Sequence, residues 1–146
     1  MNDIAKLKEE LRDRGYKLTK QRESLLDALA EIKAPTTARE LCQQIIKKNP
    51  SVNFSTVYRN LEMLVEEGLV SQLELGRGAS YYELKWSDKH YHHMICKGCG
   101  KIQKTDFCPF KHMPPTRDFV PIEHRFEIYG FCRGCMREKE STTAAD

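Results

Sequence analysis

The chain has 146 residues, 40% of them hydrophobic and 31% charged, which is enough for one ordinary domain or two small ones and too little for a large enzyme core. No run approaches the roughly 20 apolar residues that cross a bilayer, and the opening residues mix charges with Ile4, Leu7 and Leu11 instead of forming an apolar leader, so no membrane partner and a cytoplasmic location are expected. A net charge of +3 neither announces nor excludes a nucleic-acid partner.

Along the chain, Ile4, Leu7 and Leu11 mark a first helix that Gly15 stops. Thr19 offers an N-cap for a second helix with Leu25, Leu26, Leu29 and Ile32 as its apolar stripe, ending near Pro35. Thr37 and Glu40 have the capping-box spacing ahead of Leu41, Ile45 and Ile46, and Asn49-Pro50 closes that third helix. Ser55 is read as the cap of a fourth, with Val57, Leu61, Leu64 and Val65 facing inward and Gly68 at its end. The period then becomes strand-like: residues 69–75 and 80–84 flank a Gly-rich turn and read as a hairpin.

Helices followed by a hairpin is the order of a winged helix-turn-helix, assigned to residues 1–84. On the fourth helix Ser55 and Arg59 project away from the apolar stripe, with Thr56 and Tyr58 on its flanks. That first turn suits phosphate and base-edge contacts in a major groove, whereas Glu62, Glu66 and Glu67 make the far end acidic. Bulk charge does not locate a binding face, because residues 1–84 carry 13 basic and 13 acidic side chains. Locally, however, Arg12, Arg14, Lys17, Lys20 and Arg22 stand against Asp13 alone.

Residues 85–136 are short-stranded and rich in Cys and His, and residues 137–146 lack an apolar anchor and read as a disordered tail. Residues 92–96 and 124–132 read as strands, each running into a CxxC pair. Cys96, Cys99, Cys132 and Cys135 thus form two matched knuckles, a pattern that favours structural zinc with tetrahedral thiolate ligation over redox pairs. All five histidines lie in this half. On a strand His90 and His92 would point to one face, about 6.6 Å apart, and a tetrahedral site of four imidazoles would be complete if His112 and His124 folded onto it. Cys42, at helical spacing after Leu41, reads as a core residue.

Taken in order, KLTKQR (17–22), AREL (38–41), STVYRNLEML (55–64), EEGLV (66–70), YYEL (81–84), HHMICKGCGKI (92–102) and EIYGFCRGC (127–135) resemble the ferric uptake regulator family, from about Leu7 to Met136. The resemblance implies an α+β chain: a winged helix that binds AT-rich inverted repeats in double-stranded DNA, followed by an α/β dimerisation domain that senses metal and carries a zinc-ribbon-like four-cysteine site. It places the family's DNA contacts on Tyr58, Arg59, Lys17 and Arg22, and its structural zinc on the four cysteines. The family's second site falls on His90, His92, His124 and, after Pro109, His112. Its interdomain sensing site matches only at Glu83 and His93, because Pro35, Tyr91 and Lys104 stand where other ligands are usual. Cys108 reads first as a buried cysteine without a ligand role and second as a replacement thiolate for that site.

The expected function is therefore a homodimeric repressor with structural Zn2+ and a second divalent cation, Zn2+ or Fe2+, that biases the hinge between domains. A peroxide sensor of the same family and a constitutive DNA-binding protein with structural zinc only are the alternatives. An enzyme is not expected, since a four-thiolate site is closed and no HExxH signature occurs. Because histidines lose protons to bind metal, operator affinity is expected to weaken below about pH 6.5. A flat affinity from pH 8 to pH 5.5 at fixed metal would count against a histidine switch.

Overall fold

A computed structural model describes residues 2–32, 34–76, 78–85 and 90–144. Contacts divide the chain into two compact units, residues 1–87 and 88–146; most of the expected boundary at 85–89 lies outside the described residues.

The first unit begins with three helices, α1 (Asn2–Asp13), α2 (Lys20–Glu31) and α3 (Ala38–Lys48), each starting where its sequence allows. Gly15 follows α1 with φ of 89°, a conformation that costs any residue with a Cβ. The Thr19 side chain accepts from the Arg22 backbone N–H and opens α2. At α3 the capping box is complete: Glu40 N–H donates to Thr37 Oγ1 at 3.2 Å, and Thr37 N–H donates to Glu40 at 3.1 Å.

The fourth helix, α4 (Phe54–Glu66), starts earlier than expected, because Asn53 and not Ser55 is its cap. Asn53 Oδ1 accepts from the Thr56 backbone N–H at 2.9 Å, so Ser55 sits inside the first turn. Strands β2 (Val70–Glu74) and β3 (Ser80–Leu84) form the expected hairpin. A two-residue strand, β1 (Thr36–Thr37), adds to its other edge, giving the order β1-β3-β2. Two residues are too few for any periodicity to reveal. The helices and sheet close over a core that includes Leu11, Leu26, Leu41 and Leu61, all fully buried, with Cys42 among them as expected.

The Thr37 hydrogen bonds hold the Glu40 carboxyl below its ordinary value of 4.5. A carboxyl lowered in the folded state adds stability that is present above its unfolded value and is lost as pH falls through the folded one. Thr37→Ala is therefore expected to cost about 1 kcal/mol near neutral pH. The gap between wild type and Glu40→Gln should shrink as pH drops below 4.5, a trend that denaturant melts from pH 7 to pH 3 would measure.

The second unit is built on β4 (His92–Cys96), flanked by antiparallel β5 (Ile102–Thr105) and parallel β6 (Glu127–Gly130). Strand β5 carries little apolar alternation because it is a largely exposed edge. Helix α5 (Arg133–Ala144) stands where residues 137–144 were expected to be disordered. Its Glu, Lys and Arg residues are good helix formers, and the Lys139 ammonium lies 3.8 Å from the Phe131 ring centroid, tying the helix to the residue after β6.

Candidate functional site

Strand topology puts two donor clusters at opposite ends of β4. The parallel register sets Cys96 beside Gly130, so β4 and β6 end together and the two CxxC pairs that follow them meet. At the other end, β5 runs antiparallel and returns the chain beside His92, while residues 124–126 enter β6 from the same side. Four residue steps along β4 separate the ends by about 13 Å.

At the cysteine end, the ligand atoms of Cys96, Cys99, Cys132 and Cys135 all lie within 4.8 Å of one another. Cys99 Sγ and Cys132 Sγ are 3.8 Å apart, and the Cys132 backbone N–H donates to Cys96 Sγ at 3.2 Å. A Cβ at Gly98 would meet Cys135 Sγ at 2.7 Å, so only glycine lets the first knuckle close on the second. Backbone N–H groups of Cys132, Cys99 and Gly98 lower Cys96 to about 5. Hydrogen bonding with Cys132 and Cys96 pushes Cys135 up to about 12. One sulfur stabilised as thiolate and others crowded around shared protons is the arrangement that a divalent cation resolves by replacing those protons. The donor set fits zinc.

At the histidine end, the cluster comprises His90, His92, Cys108 and His124. His90 Nε2 lies 3.0 Å from His92 Nε2, 3.0 Å from His124 Nε2 and 3.3 Å from Cys108 Sγ. His124 Nε2 is 3.2 Å from both His92 Nε2 and Cys108 Sγ. Burial, and then the charges of His90 and His124, lower His92, while a hydrogen bond to the Phe126 backbone opposes them. Its Nε2 faces the other donors. Aromatic rings pack around the cluster: Phe110 stacks on His124 at 4.6 Å, and Phe126 meets His92 edge-on at 5.4 Å.

His112, expected as the fourth imidazole, lies outside this cluster, and Cys108 stands in its place. Pro109 opens a 3-10 turn over Pro109–His112 and forces Cys108 into an extended conformation, with φ of −133° and ψ of 112°. Cys108 is thereby buried, whereas His112 at the far end of the turn is exposed and stacks on Phe107. Of the residues assigned to an interdomain sensing site, Glu83 lies on β3 of the first unit, His93 is buried on β4 of the second, and Cys108 belongs to the histidine cluster.

On the first unit, Ser55, Tyr58 and Arg59 are exposed on α4, and Thr56 is half-buried with its hydroxyl held by Asn53 at 2.9 Å. Lys17 is exposed before α2. Arg22 is more engaged than its sequence suggests: Nε donates to Asn60 at 3.1 Å and a terminal N–H to the Lys17 carbonyl at 2.6 Å, pinning the segment before α2 against α4. Arg14 leaves the basic cluster altogether, paired with Glu10 and, at 2.8 Å, with Glu67. Phe54, absent from the expected contacts, is 49% exposed and stacks on Tyr58 with centroids 6.2 Å apart. An apolar residue directly after the true cap was the available signal.

The ferric uptake regulator family model matches residues 13–129. The chain is 34% identical to the ferric uptake regulation protein of Staphylococcus epidermidis over 137 residues, covering 93% of this chain and 96% of that protein. It is 33% identical to the peroxide operon regulator of Bacillus subtilis over 148 residues, covering 94% and 97%. Among solved structures it is similar to the Helicobacter pylori ferric uptake regulator, described as having three functional metal-binding sites, with a TM-score of 0.74 at 26% identity over 92% of each chain. With a winged helix in one unit and two donor clusters in the other, the chain belongs to the ferric uptake regulator family.

Proposed function

We propose that the chain is a cytoplasmic, metal-dependent transcriptional repressor that binds AT-rich inverted-repeat operators as a homodimer. The observation that carries this reading is the second donor cluster. A protein using metal only for folding has no need of three imidazoles and a thiol gathered at the opposite end of β4 from the cysteines.

In this reading Cys96, Cys99, Cys132 and Cys135 hold Zn2+, which neutralises the crowded thiolates and cross-links the knuckles. His90, His92 and His124 belong to a regulatory divalent site. Exposed Phe119, Val120 and Ile122 are apolar surface that a second copy would cover in the dimer. Ser55, Thr56, Tyr58 and Arg59 present the first turn of α4 to a major groove, and Phe54 beside Tyr58 adds an apolar face suited to thymine methyl groups. Lys17 reaches the backbone or minor groove, and Arg22 both contacts phosphate and holds that segment in place.

The test is operator affinity before and after a chelator strips every metal except the thiolate-bound zinc. A large drop, restored by added metal, is expected; an unchanged affinity would mean constitutive binding. The identity with the Bacillus subtilis peroxide operon regulator favours one second reading, a peroxide sensor, which would show a one-oxygen mass gain on histidine peptides of the iron form after peroxide. Arg59→Ala is expected to weaken binding to all sequences alike and to lower the salt slope by about 1, as loss of one phosphate contact does. Retained affinity with an unchanged slope would remove Arg59 from the interface.

A further inference from the structure

We infer that Cys108 is the fourth ligand of the histidine site, making it a three-imidazole, one-thiolate centre selective for Zn2+ over Mn2+ and Fe2+. This rests on the regulatory reading above and names its cation.

Five of the donor separations at the site fall between 3.0 and 3.3 Å, joining three Nε2 atoms and one Sγ. Zinc bonds of about 2.0–2.1 Å to nitrogen and 2.3 Å to sulfur give tetrahedral edges of about 3.3–3.6 Å, close to what the side chains already adopt. Three ring nitrogens and one sulfur, with no carboxylate among them, turn towards a common centre, a geometry that suits a cation. His92 carries the outer-shell partner that orients such a ligand, since with Nε2 in the cluster its other ring nitrogen is the one that bonds the Phe126 backbone.

The selectivity follows from the donors. No carboxylate is among the grouped residues, and Mn2+ prefers oxygen donors at six positions. Thiolate with imidazole in a four-donor site suits zinc, with Fe2+ lower in the affinity order. Cys108 is 3% exposed and His92 is buried beside it, while His90 forms the exposed side of the cluster. Pro109 sets this up by fixing the extended conformation of Cys108. An exposed His112, four residues on, cannot make the same approach.

The test uses full-length protein carrying one equivalent of Zn2+ at the four cysteines, titrated with Co2+ as a spectroscopic probe. The expected result is a near-ultraviolet thiolate-to-cobalt charge-transfer band with no release of that zinc. The band should survive in His112→Ala and vanish in Cys108→Ser, whose Zn2+ affinity at this site should fall on the order of 100-fold. Added Zn2+ should abolish the wild-type band stoichiometrically, whereas Mn2+ in on the order of 100-fold excess should leave it. Wild-type protein that binds Co2+ without the band would overturn the inference whatever the variants do. So would a band that persists in Cys108→Ser, or one that Mn2+ or Fe2+ displaces as readily as Zn2+. Operator affinity separates the two claims. The band with zinc selectivity but no effect on DNA would support the ligand set and remove the regulatory role; metal-dependent DNA binding without the band would do the reverse.

Discussion

Replacing Cys132 with serine is expected to unfold the second unit while the first stays folded. The second unit has little else to hold it. Among the described residues from 90 to 144, Ile95 is the only aliphatic side chain in the core, whereas Phe107, Phe110, Phe119, Val120, Ile122, Ile128, Tyr129 and Phe131 are exposed. A structural zinc site is worth on the order of 10 kcal/mol, comparable to the whole stability of a small domain. The substitution removes one of the four sulfurs, while the backbone N–H of residue 132 that bonds Cys96 Sγ at 3.2 Å is kept in serine and cannot replace it. Zinc analysis should fall below one equivalent, and amide NMR signals should lose dispersion for residues 90–144 but keep it for 2–85. A variant free of zinc yet fully dispersed in both units would show that packing, and not the thiolates, holds the second unit.

The opposite separation is expected for Leu61→Ala. Leu61 is 0% exposed at the centre of the α4 stripe, and truncating a leucine in such a position leaves a cavity costing about 3 kcal/mol, within the usual 2–5. The loss falls on the unit that carries Tyr58 and Arg59, so operator affinity should fall with the folded fraction while zinc content stays at the wild-type value. A denaturant melt followed by probes in each unit would separate them. A cost below about 1 kcal/mol would mean that the surrounding residues close over the cavity.

How much of this was legible in the residues depended on the kind of signal. Thr19, and Thr37 with Glu40, announced α2 and α3 because capping chemistry is local and acts at fixed spacing. At α4 the pattern is ambiguous, because Asn53 and Ser55 are both good caps and the exposed Phe54 between them breaks a polar start. The cysteine cluster could be read because two matched CxxC pairs leave few alternatives. The histidine cluster was read to three of its four members. His112 and Cys108 are both donors of the right type, four residues apart, and only the turn begun at Pro109 decides which faces inward. The basic residues were the weakest guide: counting charges could not tell that Arg14 is committed to Glu10 and Glu67, or that two of the Arg22 donors are already used.

The central claim is that the histidine end of β4 governs DNA binding while the cysteine end governs folding. The most direct measurement is operator affinity as a function of added Zn2+ for wild type and for a His90→Ala/His124→Ala variant, each holding one equivalent of zinc at the cysteines. Wild-type affinity should rise steeply as a second equivalent binds, and the variant, with its second unit still folded, should show no such rise. Equal and metal-independent affinity in both proteins would contradict the account.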